Sequence, residues 1–140
     1  MIYYDIDTTE NGYDNIKGCV ESVDELKRII FNDTVFHDCV GHVKTDVADD
    51  SVMWISAIKE LGVYLGVSNY SGEYLSLFDR ELLKEVVDVW GDDLYISKGL
   101  FIPAQLAWTG IADFVVNGVL SDKIHWISTK EIPENGNYIL

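Results

Sequence analysis

Basic side chains, cysteine and proline are scarce in this chain of 140 residues. Lys and Arg together number 10 against 24 Asp and Glu, so the formal net charge is −14. A chain this acidic repels nucleic acid and anionic membranes, and it lacks the clustered Lys and Arg of a nucleic-acid-binding surface. We therefore expect neither nucleic acid nor a membrane as a partner. The same charge speeds encounter with a basic protein, although solubility alone also explains it.

The number of cysteines and the absence of a long apolar run indicate the cellular compartment of the protein. Cys19 and Cys39 are too few for a disulfide framework. No apolar run approaches the ~20 residues that a membrane-spanning helix needs. Residues 1–11 lack the positive flank and apolar core of a signal peptide. These features predict a cytoplasmic protein with reduced thiols.

Apolar residues are plentiful enough for one packed domain. They make up nearly half of the sequence and include 4 Trp, 8 Tyr and 5 Phe. Since domains of this size are common, we expect a single domain over residues 1–140.

Residues 99–126 predict the helix–strand unit around which this domain is organised. Pro103 can open a helix, because the N–H that proline lacks is unbonded in the first turn. Asn117-Gly118 supplies a left-handed stop. Residues 123–128 then alternate as a returning strand, in which Trp126 is expected to be structural. The apolar stripe of the helix is Ala107, Ile111, Phe114, Val115 and Gly118, and Ala104, Ala107, Gly110 and Ala112 are small enough for close packing on a sheet.

The remaining periodicities predict an α+β fold with a mainly antiparallel sheet and two or three helices. Ser22 and Glu25 form the pattern of a capping box at the start of a helix. Residues 79–90 favour a helix over a loop because their apolar positions have helical spacing. Strands are predicted at 1–6, 34–44, 52–58 and 94–97, at 61–69 and 73–78 as a hairpin, and at 138–140 as an edge. Residues 8–18 and the acidic segment 46–50 are predicted loops.

The segment 37–42 contains three residues of types that bind zinc, His37, Cys39 and His42. Zinc accepts imidazole and thiolate, and a closed structural site uses four such ligands. On a strand, His37 and Cys39 share one face while His42 points to the other. Only His125 remains as a further imidazole, and the sequence has no CxxC pair. We expect a half-buried strand here and no metal.

No pattern of an enzyme active site stands out. Neither cysteine follows a Gly-rich turn at a helix N-terminus, where a thiol would be activated. Paired carboxylates are expected by chance among 24 acids. The glycines at 62, 66 and 72 precede no helix with a lysine, as a phosphate-binding loop requires. The sequence therefore predicts a protein without enzymatic activity or cofactor.

Carboxylates beside aromatic residues on predicted loops are the most distinctive feature. Aromatic anchors ringed by charge are typical of protein–protein interfaces. Each residue taken alone is also explained as a solvated acid or, for Trp90, as the end of a core helix. The candidate partner-binding residues are Asp46, Asp49, Asp50, Tyr70, Glu73, Trp90, Asp92 and Asp93, with Tyr70 and Trp90 as anchors.

Residues 60–127 resemble the immunity proteins of bacterial polymorphic-toxin and contact-dependent growth inhibition systems. The resemblance lies in the strand pair LGVYLGVSNYSGEYLSL, the strand DLYIS, the helix start LFIPAQLAWTGIADFVVNG and the closing IHW. It is similar in particular to the α+β immunity family encoded beside deaminase and nuclease toxins. Such proteins are not enzymes; each binds a cognate toxin domain and blocks it.

The resemblance and the charge together predict a cytoplasmic immunity protein. Its partner would be the C-terminal domain of a cognate toxin, a basic nuclease or deaminase, because such enzymes carry positive clefts for phosphate. The alternative is an acidic adaptor or nucleic-acid mimic that binds another basic protein.

Overall fold

The computed structural model describes residues 1–8, 14–33, 35–48, 50–89 and 93–140. The strands in this part of the chain are β1 (Ile2–Thr8), β2 (Asp14–Val20), β3 (Asp38–Thr45), β4 (Val52–Ile58), β5 (Gly62–Asn69), β6 (Gly72–Leu77), β7 (Val86–Val89), β8 (Leu94–Ser97), β9 (Phe101–Ile102) and β10 (His125–Ser128). The α-helices are α1 (Val23–Ile30) and α2 (Ala104–Asn117). No helix among these residues is long and apolar enough to cross a membrane.

One antiparallel sheet organises the molecule, in the order β10-β6-β5-β4-β3-β1-β2. Strand β5 changes partner along its length, pairing with β6 from Gly66 onward and with β9 at Val63 and Tyr64. At the change of partner, the Ser76 hydroxyl accepts from Leu65 N at 3.0 Å and donates to Leu100 O at 2.7 Å. A buried side chain thus replaces the missing ladder bonds. This architecture confirms the predicted α+β fold with a mainly antiparallel sheet.

Both helices lie on one face of this sheet, which we call the inner face. Alternate residues of the strands point into this core, as period-two alternation requires. The core includes Ile2, Ile6, Cys39, Val43, Met53, Ile55, Leu65, Val67, Leu26, Ile30, Ala107, Ile111 and Phe114. Helix α2 approaches closely, because a Cβ on Gly110 would lie 2.9 Å from Leu65 Cδ1. The predicted close packing of α2 on the sheet is confirmed at this residue.

A second core lies on the opposite, outer face of the sheet. The β7–β8 hairpin and the C-terminal segment cover the outer side of β5, β6 and β10 there. Buried Tyr64 donates its hydroxyl hydrogen to Ile139 O, which ties the end of the chain to β5. The buried residues of this second core are Tyr64, Leu75, Leu83, Val89, Ile96, Leu100, Phe101 and Ile127.

The ends of both helices follow the predicted chemistry. The Ser22 hydroxyl accepts from Glu25 N at 3.2 Å at the start of α1. Pro103 is the residue immediately before α2, and Gly118 ends α2 with a left-handed φ of 68°. These end residues are local signals, which explains why the sequence predicts them well.

The predicted helix at 79–90 is wrong. Asp79 does cap a turn, accepting from Glu81 N at 3.0 Å, but the helical turn spans only Arg80–Leu82. Val86–Val89 forms β7 instead, because its β-branched residues pair with β8 and place Val89 in the second core. Tertiary pairing here overrides the helical spacing, and the predicted end at Trp90 lies outside the described residues.

Three further boundaries need correction. The predicted loop at 8–18 contains most of β2, whose polar residues alternate on an exposed edge strand. The strand predicted at 34–44 begins only at Asp38, because Val35 and Phe36 are buried in the preceding turn. The tail at 138–140 is no strand; it lies across β5, with Leu140 against Gly66.

Trp126 is half-buried against the inner core, and its indole Nε1 donates to Ser121 O at 2.9 Å. We expect Trp126→Ala to lower the free energy of unfolding by about 3 kcal/mol through lost packing and the lost hydrogen bond. Trp126→Phe keeps most of the packing, so its loss should be about 1 kcal/mol. Urea denaturation measures both, and wild-type stability of the alanine variant would contradict a structural role.

Candidate partner-binding surface

The predicted partner-binding residues lie at two opposite ends of the sheet. Asp50 stands just before β4, and its carboxylate accepts from the hydroxyl of Tyr70. At the far end of β4, Ile58 lines a cavity with Asp88 of the β7–β8 hairpin. Asp93 belongs to that hairpin, and its carboxylate accepts from Tyr95. The seven residues of β4 separate the two groups by roughly 23 Å, so they form no single site.

Several predicted residues add little to either group. Glu73 is exposed on β6, paired in register with Ser68. The predicted positions Asp49, Trp90 and Asp92 lie outside the described residues. The surface is therefore built from Asp46, Asp50, Tyr70 and their neighbours.

Asp50 and Tyr70 join two loops at one end of the sheet. The Tyr70 hydroxyl donates to Asp50 Oδ2 at 2.5 Å, although the tyrosine itself is 84% exposed at the tip of the β5–β6 hairpin. Asp50 has a left-handed φ of 60°, a conformation that aspartate tolerates better than most residues. The hydrogen bond holds this carboxylate in place at the surface.

Asp46 lies beside the exposed side chain of Tyr3 on the neighbouring strand. The negative charge of Asp46 raises the pKa of the Tyr3 hydroxyl, with smaller contributions from burial, from Cys19 and from a hydrogen bond to Asp46. A cavity of about 390 Å³ lies between the two carboxylates, lined by Tyr3, Lys44, Thr45, Asp46, Ala48, Asp50, Ser51 and Val52. Two carboxylates and a tyrosine thus converge on one depression.

Three exposed valines lie on two adjoining segments next to these carboxylates. Val47 is 59% exposed in the β3–β4 connection, and Val116 and Val119 are each 50% exposed at the end of α2. The two segments touch, since a Cβ on Gly118 would lie 2.7 Å from Val47 O. We call Val47, Val116 and Val119 the valine surface. Apolar side chains grouped in this way mark interaction sites more often than singly exposed ones.

The end of α2 adds negative potential at the same place. A helix carries about half a negative charge at its C-terminus. The last turn of α2 contains no basic residue that would offset it. Asp113, one turn before Val116 on α2, and Asp46 and Asp50 in the β3–β4 connection flank the valine surface. The valine surface therefore lies beside several carboxylates, of which Asp46 is 3.4 Å from the N-terminal ammonium of Met1.

The group at the opposite end is smaller and differently built. The hydrogen bond from Tyr95 to Asp93 raises the pKa of the Tyr95 hydroxyl. One carboxylate oxygen of Asp88 is buried without a hydrogen-bond partner among the described residues. The cavity beside it, of about 420 Å³, also contains Lys59 and His37. Asp38 and Glu60 also line this cavity, but no exposed apolar group comparable to the valines lies among its described lining residues.

The structure separates the three residues compared with a zinc site. His37 lies in the turn before β3, 3.8 Å from Asp33, while His42 contacts Trp54 on the outer face, with ring centroids 5.1 Å apart and ring planes tilted by 59°. Cys39 faces the inner core, where burial raises its pKa to about 12. Among the described residues, no three His, Cys, Asp or Glu side chains form a metal-binding group.

The other thiol has no histidine beside it. Cys19 lies on the exposed edge strand β2, and its register partner is Tyr3 on β1. His42 lies on β3, opposite Asp5 of β1. Two strand spacings therefore separate Cys19 from His42 by about 10 Å, beyond the reach of a hydrogen bond. This pair is not placed for nucleophilic catalysis.

The sequence predicts Asp46, Asp50 and Tyr70 as candidates but not the valines. Val116 lies off the apolar stripe of α2, and Val119 follows the glycine stop. An apolar residue off the buried stripe, close to a helix stop, is a usable signal of exposure. Their proximity to Val47 was beyond prediction, because it depends on how α2 crosses the sheet.

Gly118 and Asp50 allow a paired test of this local geometry. Gly118→Ala places a side chain at a left-handed position and against Val47 O, so we expect a loss of about 1–3 kcal/mol in unfolding free energy. Asp50→Gly relieves a left-handed φ and should change stability by less than about 1 kcal/mol. Thermal and urea unfolding measure both variants. Equal losses in the two would contradict the described backbone of the β3–β4 connection and the α2 terminus.

The chain was compared with known proteins. No protein-family model, curated protein or solved structure matches it significantly. The resemblance of residues 60–127 to the immunity proteins therefore stays a prediction.

Proposed function

We propose that this protein is a non-enzymatic immunity protein that binds and neutralises the basic catalytic domain of a toxin, a nuclease or deaminase, in the cytoplasm. The observation that carries the proposal is the valine surface, which lies beside Asp46 and Asp50 at the negative end of α2. The resemblance of residues 60–127 to immunity proteins supports it independently.

The carboxylates supply attraction at a distance. With a net charge of −14, the protein is drawn toward a positive cleft before contact. The fixed carboxylate of Asp50 and the end of α2 concentrate this attraction at one place. A domain that binds phosphate in its own active site offers the complementary charge, so occupation of its cleft would also block its substrate.

The valines supply the apolar contact that keeps a complex together. Charged rims set the association rate, whereas desolvated apolar centres govern dissociation. Val47, Val116 and Val119 are 59%, 50% and 50% exposed, so about half of each residue is available to a partner. A partner with an apolar side chain among its basic residues fits this arrangement.

The test is stopped-flow binding to the product of the gene immediately upstream, where we expect a toxin C-terminal domain, over a salt series. We expect the association rate to fall with salt, since the screening length is ~8 Å near physiological ionic strength. Asp46→Asn and Asp50→Asn should lower the association rate by about threefold to tenfold and leave dissociation nearly unchanged. Val47→Ser and Val119→Ser should raise the dissociation rate by about tenfold.

Two matched controls isolate the surface. Glu134→Gln neutralises an exposed acid elsewhere, and Phe78→Ser removes an apolar side chain that is 64% exposed elsewhere. Both should bind like the wild type. If the upstream domain binds no variant, wild type included, the proposed function fails. Binding that is unaffected by salt and by all four surface variants would move the site to another part of the protein.

A further inference from the structure

The outer face of the sheet is only half covered. The β7–β8 hairpin and the C-terminal segment lie over β5, β6 and β10, and their core reaches Val40 on β3 and Ile58 on β4. Toward β2 the face carries exposed Tyr3, Lys17 and Lys44, with Asp5, His42 and Trp54 half-buried between them. We call these six residues and their strands the open half-face. A cavity of about 470 Å³ lies within it, lined by Tyr3, Tyr4, Asp5, Lys17, Gly18, Cys19, His42 and Lys44.

The open half-face differs from the rest of the protein in its charge. Its acids are Asp5 and Asp7 on β1 and Asp38 on β3, and its bases are Lys17 on β2 and Lys44 on β3. Two bases against three acids leave a charge of −1, which is small in a chain whose net charge is −14. A basic partner is attracted elsewhere, whereas a second copy of this acidic chain meets least repulsion at this face.

The register of the strands arranges these residues in transverse rows. Lys17, Asp5, His42 and Trp54 are register partners across β2, β1, β3 and β4. Cys19, Tyr3 and Lys44 form the next row, and Val52 continues it, since Val43 pairs with Met53. A cation, an acid and aromatic rings therefore stand at defined positions across the face.

We propose that the open half-face is a self-association surface, on which two copies pack face to face about a twofold axis parallel to the strands and midway between β1 and β3. Rotation about this axis leaves every residue at the same position along the strand direction. It places β2 of one copy over β4 of the other, and β1 over β3. Lys17 then faces Trp54, Asp5 faces His42, and Tyr3 faces Lys44, each twice. The pairs are two cation–π contacts and one acid–imidazole contact per copy.

The shape of the outer face favours the same arrangement. The hairpin and C-terminal segment form a step beside β4, where Leu140 lies against Gly66. With this axis, the edge strand β2 of the second copy lies over β4 and ends against the step. Each copy thereby covers the other's edge strand, which is otherwise open to strand pairing.

The size of the surface sets the strength of association. Four strands by seven residues give an upper bound of about 19 Å by 23 Å, from which the part near Val40 and Ile58 is lost to the second core. A footprint of this size is below that of stable interfaces, so we expect a weak dimer in a concentration-dependent equilibrium with monomers.

Analytical ultracentrifugation over a concentration series tests the proposal, in about 0.5 M salt so that the −14 charges are screened. The wild type should show a monomer–dimer equilibrium. Lys17→Glu and Lys44→Glu should each weaken dimerisation by about tenfold or more. Lys123→Glu makes the same charge change at an exposed residue outside the face and should leave the equilibrium unchanged. Circular dichroism checks that every variant folds.

A cross-linking experiment tests the register. In the proposed dimer, Cys19 faces Val52 of the second copy across the about 10 Å between packed sheets. A short bismaleimide should link Val52→Cys protein into covalent dimers through Cys19. Val119→Cys, outside the face, should give none. Within one copy, Cys19 and residue 52 are about three strand spacings apart, or ~14 Å, which a short linker does not span.

Each possible result either supports or contradicts the proposed dimer. A monomer at every concentration overturns the proposal. So does a dimer that is indifferent to Lys17→Glu and Lys44→Glu, because it must use another face. Dimers that dissociate with these variants but cross-link through Val119→Cys contradict the axis. None of these results depends on the toxin-binding function.

Discussion

The close approach of α2 to the sheet is the contact on which the rest of the structure depends. Gly110 favours it, because a Cβ there would lie 2.5 Å from Ile124 Cδ1 and 2.9 Å from Leu65 Cδ1 and these side chains would have to shift. Because α2 lies this low, its last turn reaches the β3–β4 connection, and the Thr45 hydroxyl donates to Val115 O at 3.1 Å. The negative end of the helix, the loop carboxylates and the exposed valines meet as a result.

Prediction from the sequence was accurate where a few neighbouring residues determine the local structure. It was less accurate where pairing between distant segments determines that structure. The span Val52–Ile58, the Tyr70-Ser71 turn, the Ser22 cap and the Gly118 stop follow from patterns within a few residues, and the structure has them there. The segment 79–90 has helical spacing but becomes a turn and β7, because only the fold supplies β8 as a partner. For the site, acids and exposed aromatics could be identified, yet their division between two ends of β4 depends on chain crossings that no periodicity encodes.

The two proposed surfaces use opposite electrostatic strategies in one small domain. The valine surface lies among carboxylates and the end of a helix, where an acidic chain gathers its potential for a basic partner. The open half-face nearly balances its lysines and aspartates, so like molecules can approach despite their common charge. The surfaces meet near Tyr3 and Lys44, which border the cavity beside Asp46. A dimer would therefore present two acidic surfaces at once, which increases avidity for any partner that is itself multivalent.

The contact between Tyr64 and the Ile139 carbonyl links residues 75 positions apart, and it has a consequence for the order in which the chain folds. The inner core cannot close before α2 has been synthesised, and the outer core cannot close before the segment that follows β10. Contacts of such long range slow folding, because the entropy of closing the loop is lost before the stabilising contacts form. On the ribosome, the strands β1 to β6 would emerge with both faces uncovered. The abundance of carboxylates then protects the nascent sheet, because like charges keep incomplete chains apart until the last segment arrives.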